Sequence, residues 1–493
     1  MLFLAQEPPD RYAEVNSAPQ TPDPVPLFVD LDGTLIKTDL LMESALRLFK
    51  KSPLSLFSML VWLIRGGKSG LKAEIARRVE LDSSLLPLHA DLVEFLRDEA
   101  ASGRALYLAT ASDRVLAEPV ARRLGIFADV LASTPGNNLK GQRKLDSILS
   151  TTSGGPFDYA GNDHADMPVW AVARRKLVVN PAAGVVAAAR ARFDVQRVFE
   201  DRPRKLRTWL RAIRLYQWLK NLLLFVPLFT SHAFTGMALL TVAMGFTAFG
   251  CVASATYLLN DLLDLDSDRR HPRKSQRPLA AGNIGPVSGL VATLVLLVVG
   301  LTIAVTLSVP FLLSIFAYLI LTLSYSLYFK TYVLLDVLLL AALYTVRIIA
   351  GALAIEVSLS SWLLAFSMFV FLNLALVKRC SELKAMESHS RAAASGRDYR
   401  ISDLGTLSSM GIAAGYISVL ILALYVDNPV VRNSYSNPLV LWLLCPFMMY
   451  WVSRLWIKTS RGEMNDDPLL YSLRDRASWI IFIAMGLTAL LAI

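Results

Sequence analysis

At 493 residues, 54% of them hydrophobic and with a mean hydropathy of +0.46, the chain is too long for one ordinary core and falls in the membrane class. Its formal net charge of +10 does not argue for a nucleic-acid partner, because the basic residues gather beside apolar runs, where membrane topology accounts for them. Cys251, Cys380 and Cys445 lie in or beside apolar segments without metal-ligand spacing, which indicates neither a disulfide framework nor a zinc site and reads as ordinary buried thiols.

Residues 1–25 are polar and rich in proline, with no apolar core. They read as a disordered leader rather than a secretion signal, so the N-terminus is expected in the cytosol. Pro26-Leu27-Phe28-Val29-Asp30-Leu31-Asp32-Gly33-Thr34 then reads as a short buried strand running into a tight loop. Two carboxylates at that strand's C-terminal end stand at the mouth of an open α/β sheet, where ligands bind. Residues 39–86 are helical and apolar-rich. Residues 106–112 read as a second strand carrying Thr110 and Ser112 near its end. Lys140 and Lys144 follow, then Tyr159-Ala160-Gly161-Asn162-Asp163-His164-Ala165-Asp166. His89 and His164 have no partner pattern and are read as incidental.

This order of motifs resembles the haloacid-dehalogenase-like phosphohydrolases over residues 26–200. The resemblance implies a Rossmann-like α/β domain whose small helical cap, 39–86, closes over a phosphate and limits which substrates enter. It implies that Asp30 attacks phosphorus, that Asp32 acts as acid and base, that Thr110 hydrogen-bonds the phosphoryl group, and that Lys140, with Lys144 as the alternative, neutralises its charge. Mg²⁺ would be held by Asp30, Asp32 and the Asn162, Asp163, Asp166 cluster. The family usually has Asp where this chain has Asn162, a ligand without charge, which Asp163 or Asp166 would have to offset.

Residues 201–215 are dense in Arg and Lys, a juxtamembrane segment. Apolar runs of spanning length then predict about nine transmembrane helices in 216–493, near 216–235, 237–260, 284–307, 310–329, 333–356, 360–378, 405–426, 437–457 and 477–493. With the N-terminus inside, the even-to-odd connections collect the basic residues, so charge bias and span count agree. Arg347 has no lipid-facing justification deep in a span and is expected to face a cavity and touch phosphate. Lys220, Tyr257, Tyr325 and Lys330 lie near the ends of spans, where snorkelling and a site role weigh about equally.

At the end of the second apolar run stands Asn260-Asp261-Leu262-Leu263-Asp264-Leu265-Asp266-Ser267-Asp268. On one helix Asp261, Asp264 and Asp268 fall at i, i+3 and i+7 and share a face. Carboxylates so close repel one another unless a cation lies between them, and Mg²⁺ carrying a substrate's diphosphate suits that need. Arg269, Arg270, Arg273, Lys274 and Arg277 follow and are placed to hold outer phosphate oxygens. This motif, with Gln217-Trp218-Leu219-Lys220-Asn221, Lys378-Arg379-x-x-Glu382 and Asp466-Asp467-Pro468, resembles the UbiA-type membrane prenyltransferases, and within them the decaprenyl-phosphate phosphoribosyltransferase branch. The resemblance runs from about residue 206 onward. The whole is expected to be an α/β domain with a helical cap, followed by an all-α membrane bundle.

Members of the superfamily that use an isoprenyl diphosphate carry a second acidic motif after the sixth span. Here that place reads Lys378-Arg379-Cys380-Ser381-Glu382-Leu383-Lys384, which suits an anion held directly. The expected reaction is Mg²⁺-dependent transfer of 5-phosphoribose from phosphoribosyl diphosphate to a polyprenyl phosphate, with Asn260, Asp261, Asp264 and Asp268 at the leaving diphosphate. The attached hydrolase would then remove the 5-phosphate. The alternative is prenyl transfer to an aromatic acceptor beside a regulatory or degenerate phosphatase domain. A multi-pass protein of the bacterial inner membrane follows, with its N-terminal domain and active site facing the cytosol and a homo-oligomer left open.

Overall fold

The computed structural model describes residues 25–134, 136–181, 184–201, 205–387, 398–464 and 467–492. All but the last residue of the expected leader lies outside them. Contacts divide the chain into two compact units: Met1–Trp209 with Asp261–Gly289, and Leu210–Asn260 with Leu290–Ile493.

The first unit is built on a six-stranded parallel sheet in the order β3-β2-β1-β4-β5-β6. Its strands are β1 (Leu27–Val29), β2 (Leu106–Asp113), β3 (Asp129–Ser133), β4 (Asp158–Gly161), β5 (Lys176–Val179) and β6 (Arg197–Phe199). The central strand is short because its work is done in three residues. Leu27 and Val29 join one apolar cluster and Phe28 the cluster on the opposite face, so β1 is covered on both sides, as a parallel strand must be. Between β1 and β2 the chain makes the helical insert α1 (Leu40–Lys51) and α2 (Ser55–Ala76), then α3 (Ala90–Ala101). Asp39 caps α1 by accepting from the Met42 amide at 2.8 Å. The crossovers α4 (Arg114–Leu124), α5 (Gln142–Thr151), α6 (Met167–Val172) and α7 (Val185–Arg192) follow in turn. Successive strands are added to one side of β1 and then to the other, which opens a crevice at its C-terminal end.

The chain continues through α8 (Lys205–Ala212), a 3₁₀ stretch Leu215–Phe225, α9 (Val226–Thr230), α10 (Gly236–Leu263), α11 (Leu265–Arg270), α12 (Pro286–Leu307), α13 (Val309–Leu327), α14 (Leu335–Ala354) and α15 (Ser361–Glu387). It ends in α16 (Leu404–Asp427), α17 (Pro429–Ser434), α18 (Leu444–Ser460), α19 (Pro468–Ser472) and α20 (Arg476–Ala492). Among the described residues seven helices are long and apolar enough to cross a membrane, not the nine expected. The first expected span, 216–235, is instead a 3₁₀ stretch followed by the five-residue α9, which Pro227, lacking an amide hydrogen, suits at its start. The last, α20, has 17 residues, about 26 Å of helix against a hydrocarbon core of about 30 Å. The 3₁₀ stretch packs so tightly on α14 that a side chain on Gly351 would run into the Leu224 backbone. On α10, a Cβ at Gly250 would lie 2.7 Å from the Trp218 ring.

Candidate functional site

In the first unit Asp30 leaves the end of β1 and meets Lys144 in the first turn of α5, Nζ to Oδ1 2.8 Å. Lys144 also donates to the Tyr159 hydroxyl at 2.8 Å and reaches Asp166 at 3.3 Å. Asp32 accepts from the Ser112 hydroxyl at 2.6 Å and from the Leu40 amide at 2.8 Å, so strand β2 and helix α1 both hold it. Thr110 accepts from the Ser112 amide at 3.0 Å, its own hydroxyl 3.5 Å from Asp32. Gly33, at φ +76°, lies under the Asn162 side chain, which any larger residue there would strike.

Burial pushes the Asp30 carboxyl up to about 6, with Lys144 pulling the other way. Asp32 is pushed up to about 7, by burial first and then by Asp39. Burial works against the charge on Lys144, yet Asp30 and Asp166 outweigh it and raise its pKa. Asp166 is held low despite its burial by Lys144, the Tyr159 hydroxyl and the backbone amides of Asp163 and Asn162.

The lysine at Asp30 is thus Lys144, and Lys140, the first choice from sequence, is exposed. Gly141, at φ +60°, turns the chain into α5, and only the residue one turn later points inward. Asp166 has both carboxylate oxygens taken by protein donors, which leaves it as a brace rather than a free metal ligand. Asp163 caps a 3₁₀ turn through the His164 amide at 2.6 Å. Ser112 and Tyr159 were missed as site residues. Ser112 carried a signal, since two residues beyond Thr110 on a strand is the same face. Lys72, on the cap helix α2, was also missed, and its Nζ donates to the Ala111 carbonyl at 2.6 Å.

Also in this unit, the acidic segment departs from the single face expected of it. Helix α10 ends at Leu263, and Asp264 occupies the break before α11 with φ −104° and ψ 15°. Asp261 and Asp268, both buried, meet one guanidinium nitrogen, Arg277 Nη1, at 3.1 and 2.6 Å. Asp264 instead pairs with Lys50 at 2.6 Å, and Asp266 with Arg47. Arg269 makes a two-pronged pair with buried Glu43, at 2.9 and 2.6 Å. Lys274 is exposed. Among the described residues no group of three His, Cys, Asp or Glu forms a metal cluster. The fit to a divalent cation is therefore partial: Asp261 and Asp268 converge on one positive charge, and Asp30 with Asp32 form a desolvated pair that a cation would relieve.

The second unit buries its own charges. Lys220 of the 3₁₀ stretch pairs with Asp467, with its Nζ 5.4 Å from the Tyr344 ring centre, while the Tyr344 hydroxyl donates to Asp467 at 3.4 Å. Two motifs far apart in sequence thereby meet; Asp466 lies outside the described residues. Arg347 donates to Asn221 at 3.0 Å and to the Leu343 carbonyl, and stacks 4.9 Å from the Tyr318 ring centre. Asn260 donates to Ser326 at 3.0 Å. Tyr325 and Lys378 are half-buried. Arg379, expected to hold an anion, is instead neutralised by Asp336 at 2.6 Å and by Glu382, and it lies 5.3 Å from the Tyr399 ring centre.

An apolar bundle with buried charges and an attached parallel-sheet domain with two carboxylates at its mouth define an integral membrane enzyme with a hydrolase-like module. The chain belongs to the UbiA prenyltransferase family, whose model matches residues 222–479, and residues 27–169 match the haloacid dehalogenase-like hydrolase model. It is 35% identical over 93% of its length to an uncharacterized protein y4nM of Sinorhizobium fredii, covering 89% of that protein. The nodulation protein NoeC of Azorhizobium caulinodans is 34% identical over 57% of this chain and 91% of its own. A decaprenyl-phosphate phosphoribosyltransferase of Mycobacterium tuberculosis is 29% identical over 56% of this chain and 90% of its own.

Proposed function

We propose that this protein transfers 5-phosphoribose from phosphoribosyl diphosphate to a polyprenyl phosphate, releasing diphosphate, and that its N-terminal domain then removes the 5-phosphate from the lipid product. The observation that carries the first step is the pair Asp261 and Asp268 gathered on one cation beside the basic run 269–277. The similarity to a phosphoribosyltransferase supports the choice of donor. Mg²⁺ held by these carboxylates would neutralise the leaving diphosphate. Arg277, with Lys274, is assigned to its outer oxygens, and Lys220 and Arg347 to anionic groups within the bundle. The acceptor phosphate is already anionic, so its oxygen bonds C1 as the C1–diphosphate bond breaks, and no general base is needed.

In the N-terminal domain Asp30 bonds phosphorus as the bond to the ribose oxygen breaks, and Asp32 gives that oxygen its proton. Water then attacks the aspartyl phosphate, with Asp32 taking the proton back, and phosphate leaves. A carboxyl raised to about 7 is suited to both roles. Lys144 faces Asp30 throughout, while Thr110 and Ser112 line the mouth. We place both activities on the cytosolic face of a bacterial cytoplasmic membrane.

The test is a membrane preparation of the full chain given phosphoribosyl diphosphate labelled in the ribose and in the 5-phosphate. The expected outcome is ribose label in lipid and 5-phosphate label released as inorganic phosphate. Lipid that keeps both labels would retire the second step. No labelled lipid, with prenylation of 4-hydroxybenzoate instead, would replace the donor by an isoprenyl diphosphate.

A further inference from the structure

Helix α2 presents an exposed apolar face. Leu56, Phe57, Leu60, Val61 and Ile64 recur at helical spacing on one side, and they are exposed: Leu56 by 58%, Phe57 by 69% and Ile64 by 75%. A stripe of this kind normally faces a core, and a contiguous exposed one marks an interaction surface. The stretch cannot span a bilayer. Gly67 has φ 59° and ψ −162°, which ends the first helical half after about 18 Å, short of the roughly 30 Å required. The fold-back is sharp: Arg78, which a continuous helix would put about 24 Å from Trp62, lies 4.4 Å from its ring centre.

The charges around this face select its partner. No acidic residue occurs between Glu43 and Glu74, whereas Lys51 just before α2 and Arg65 and Lys68 within it are exposed. An apolar face whose own segment carries cations and no acidic residue fits a lipid surface with anionic headgroups. Seven of the described helices have spanning character, so the domain is tethered to a protein that carries a bilayer with it. Beyond the bend, the same helix brings Lys72 to the Ala111 carbonyl at 2.6 Å, at the end of the strand that holds Thr110 and Ser112.

We propose that the first half of α2 lies in the interface of the bilayer, apolar side chains among the acyl chains, and that the cap thereby feeds a lipid-anchored phosphate to the Asp30 mouth. The second part of this rests on the phosphatase reading above; the first part does not.

The full chain in lipid nanodiscs containing phosphatidylglycerol tests it, with Phe57→Cys, Ile64→Cys or Arg77→Cys carrying an environment-sensitive fluorophore and the unsubstituted protein as background. Lipids brominated on the acyl chain are expected to quench the label at positions 57 and 64 several-fold and to leave that at 77 unchanged. Labels at 57 and 64 that answer only to aqueous iodide would overturn the proposal. So would energy transfer between labelled copies without bromine quenching, which would make a second subunit the occupant. In the triple variant Phe57→Asp, Leu60→Asp, Ile64→Asp, release of 5-phosphate from the lipid product should fall at least tenfold, with p-nitrophenyl phosphate hydrolysis within twofold of the unsubstituted protein. Equal loss of both would overturn the delivery role. Absence of p-nitrophenyl phosphate hydrolysis in the unsubstituted protein would instead sink the phosphatase reading, and bromine quenching would still decide the bilayer contact.

Discussion

Asp158 is fully buried at the start of β4, where Arg174 at 2.8 Å and Arg104 both grip it and the Arg175 amide donates at 2.9 Å. Burial alone would raise its pKa, but the two arginines outweigh that and hold it below the usual carboxylate value. A depressed carboxylate stabilises the fold above its unfolded pKa and loses that contribution as pH falls through the folded one. Acidification below about pH 4 is therefore expected to loosen this unit, read as faster amide exchange in strands β4 and β5 of the full chain. Asp158→Asn removes the carboxylate that Arg104 and Arg174 share but leaves Arg104 its pair with Glu99 at 2.7 Å, and it should cost about 1–3 kcal/mol and abolish that acid dependence. Asn162 offers a gain instead of a loss. In the proposed Mg²⁺-dependent phosphatase, Asn162→Asp would add a charge on the side chain that lies against Gly33, and the Mg²⁺ concentration for half-maximal phosphate release should fall by roughly tenfold.

At the scale of elements, the close approach of α14 to the 3₁₀ stretch gives a sharp expectation. Gly351→Ala forces the Leu224 backbone away, an overpacking that costs about 1–3 kcal/mol. Because that stretch carries Lys220 to Asp467, lipid labelling should drop along with the melting temperature in detergent, while hydrolysis of p-nitrophenyl phosphate holds. Such contacts mark where sequence reading stops. The Asp30-Leu31-Asp32-Gly33 turn was legible because its chemistry is contiguous and its strand is a plain apolar run. The choice between Lys140 and Lys144 was not, since it turns on one positive φ at Gly141. The break at Asp264 was hidden by a helical periodicity that runs straight through it. Arg379 looked like a free cation because its partner Asp336 lies on another helix, and no local pattern pairs residues that far apart. Span counting gave nine where seven of the described helices reach spanning length, because an apolar run of sufficient length can still be 3₁₀ or end early.

At the scale of the whole molecule, the two proposed activities should separate by substitution. Asp30→Asn should leave lipid labelling intact and trap the product with its 5-phosphate, seen as a more anionic lipid on chromatography. The pair Asp261→Asn and Asp268→Asn should abolish lipid labelling and spare p-nitrophenyl phosphate hydrolysis. The residues 261–289 that carry the second pair fold with the N-terminal unit, tied to it through Glu43 with Arg269, Arg47 with Asp266 and Lys50 with Asp264. That unit is discontinuous in the chain, so its last piece leaves the ribosome only after the whole of α10. Synthesis thus imposes a schedule: the sheet can form early, but Glu43 has the Thr38 hydroxyl and no arginine until the translocon has handled the first long hydrophobic helix.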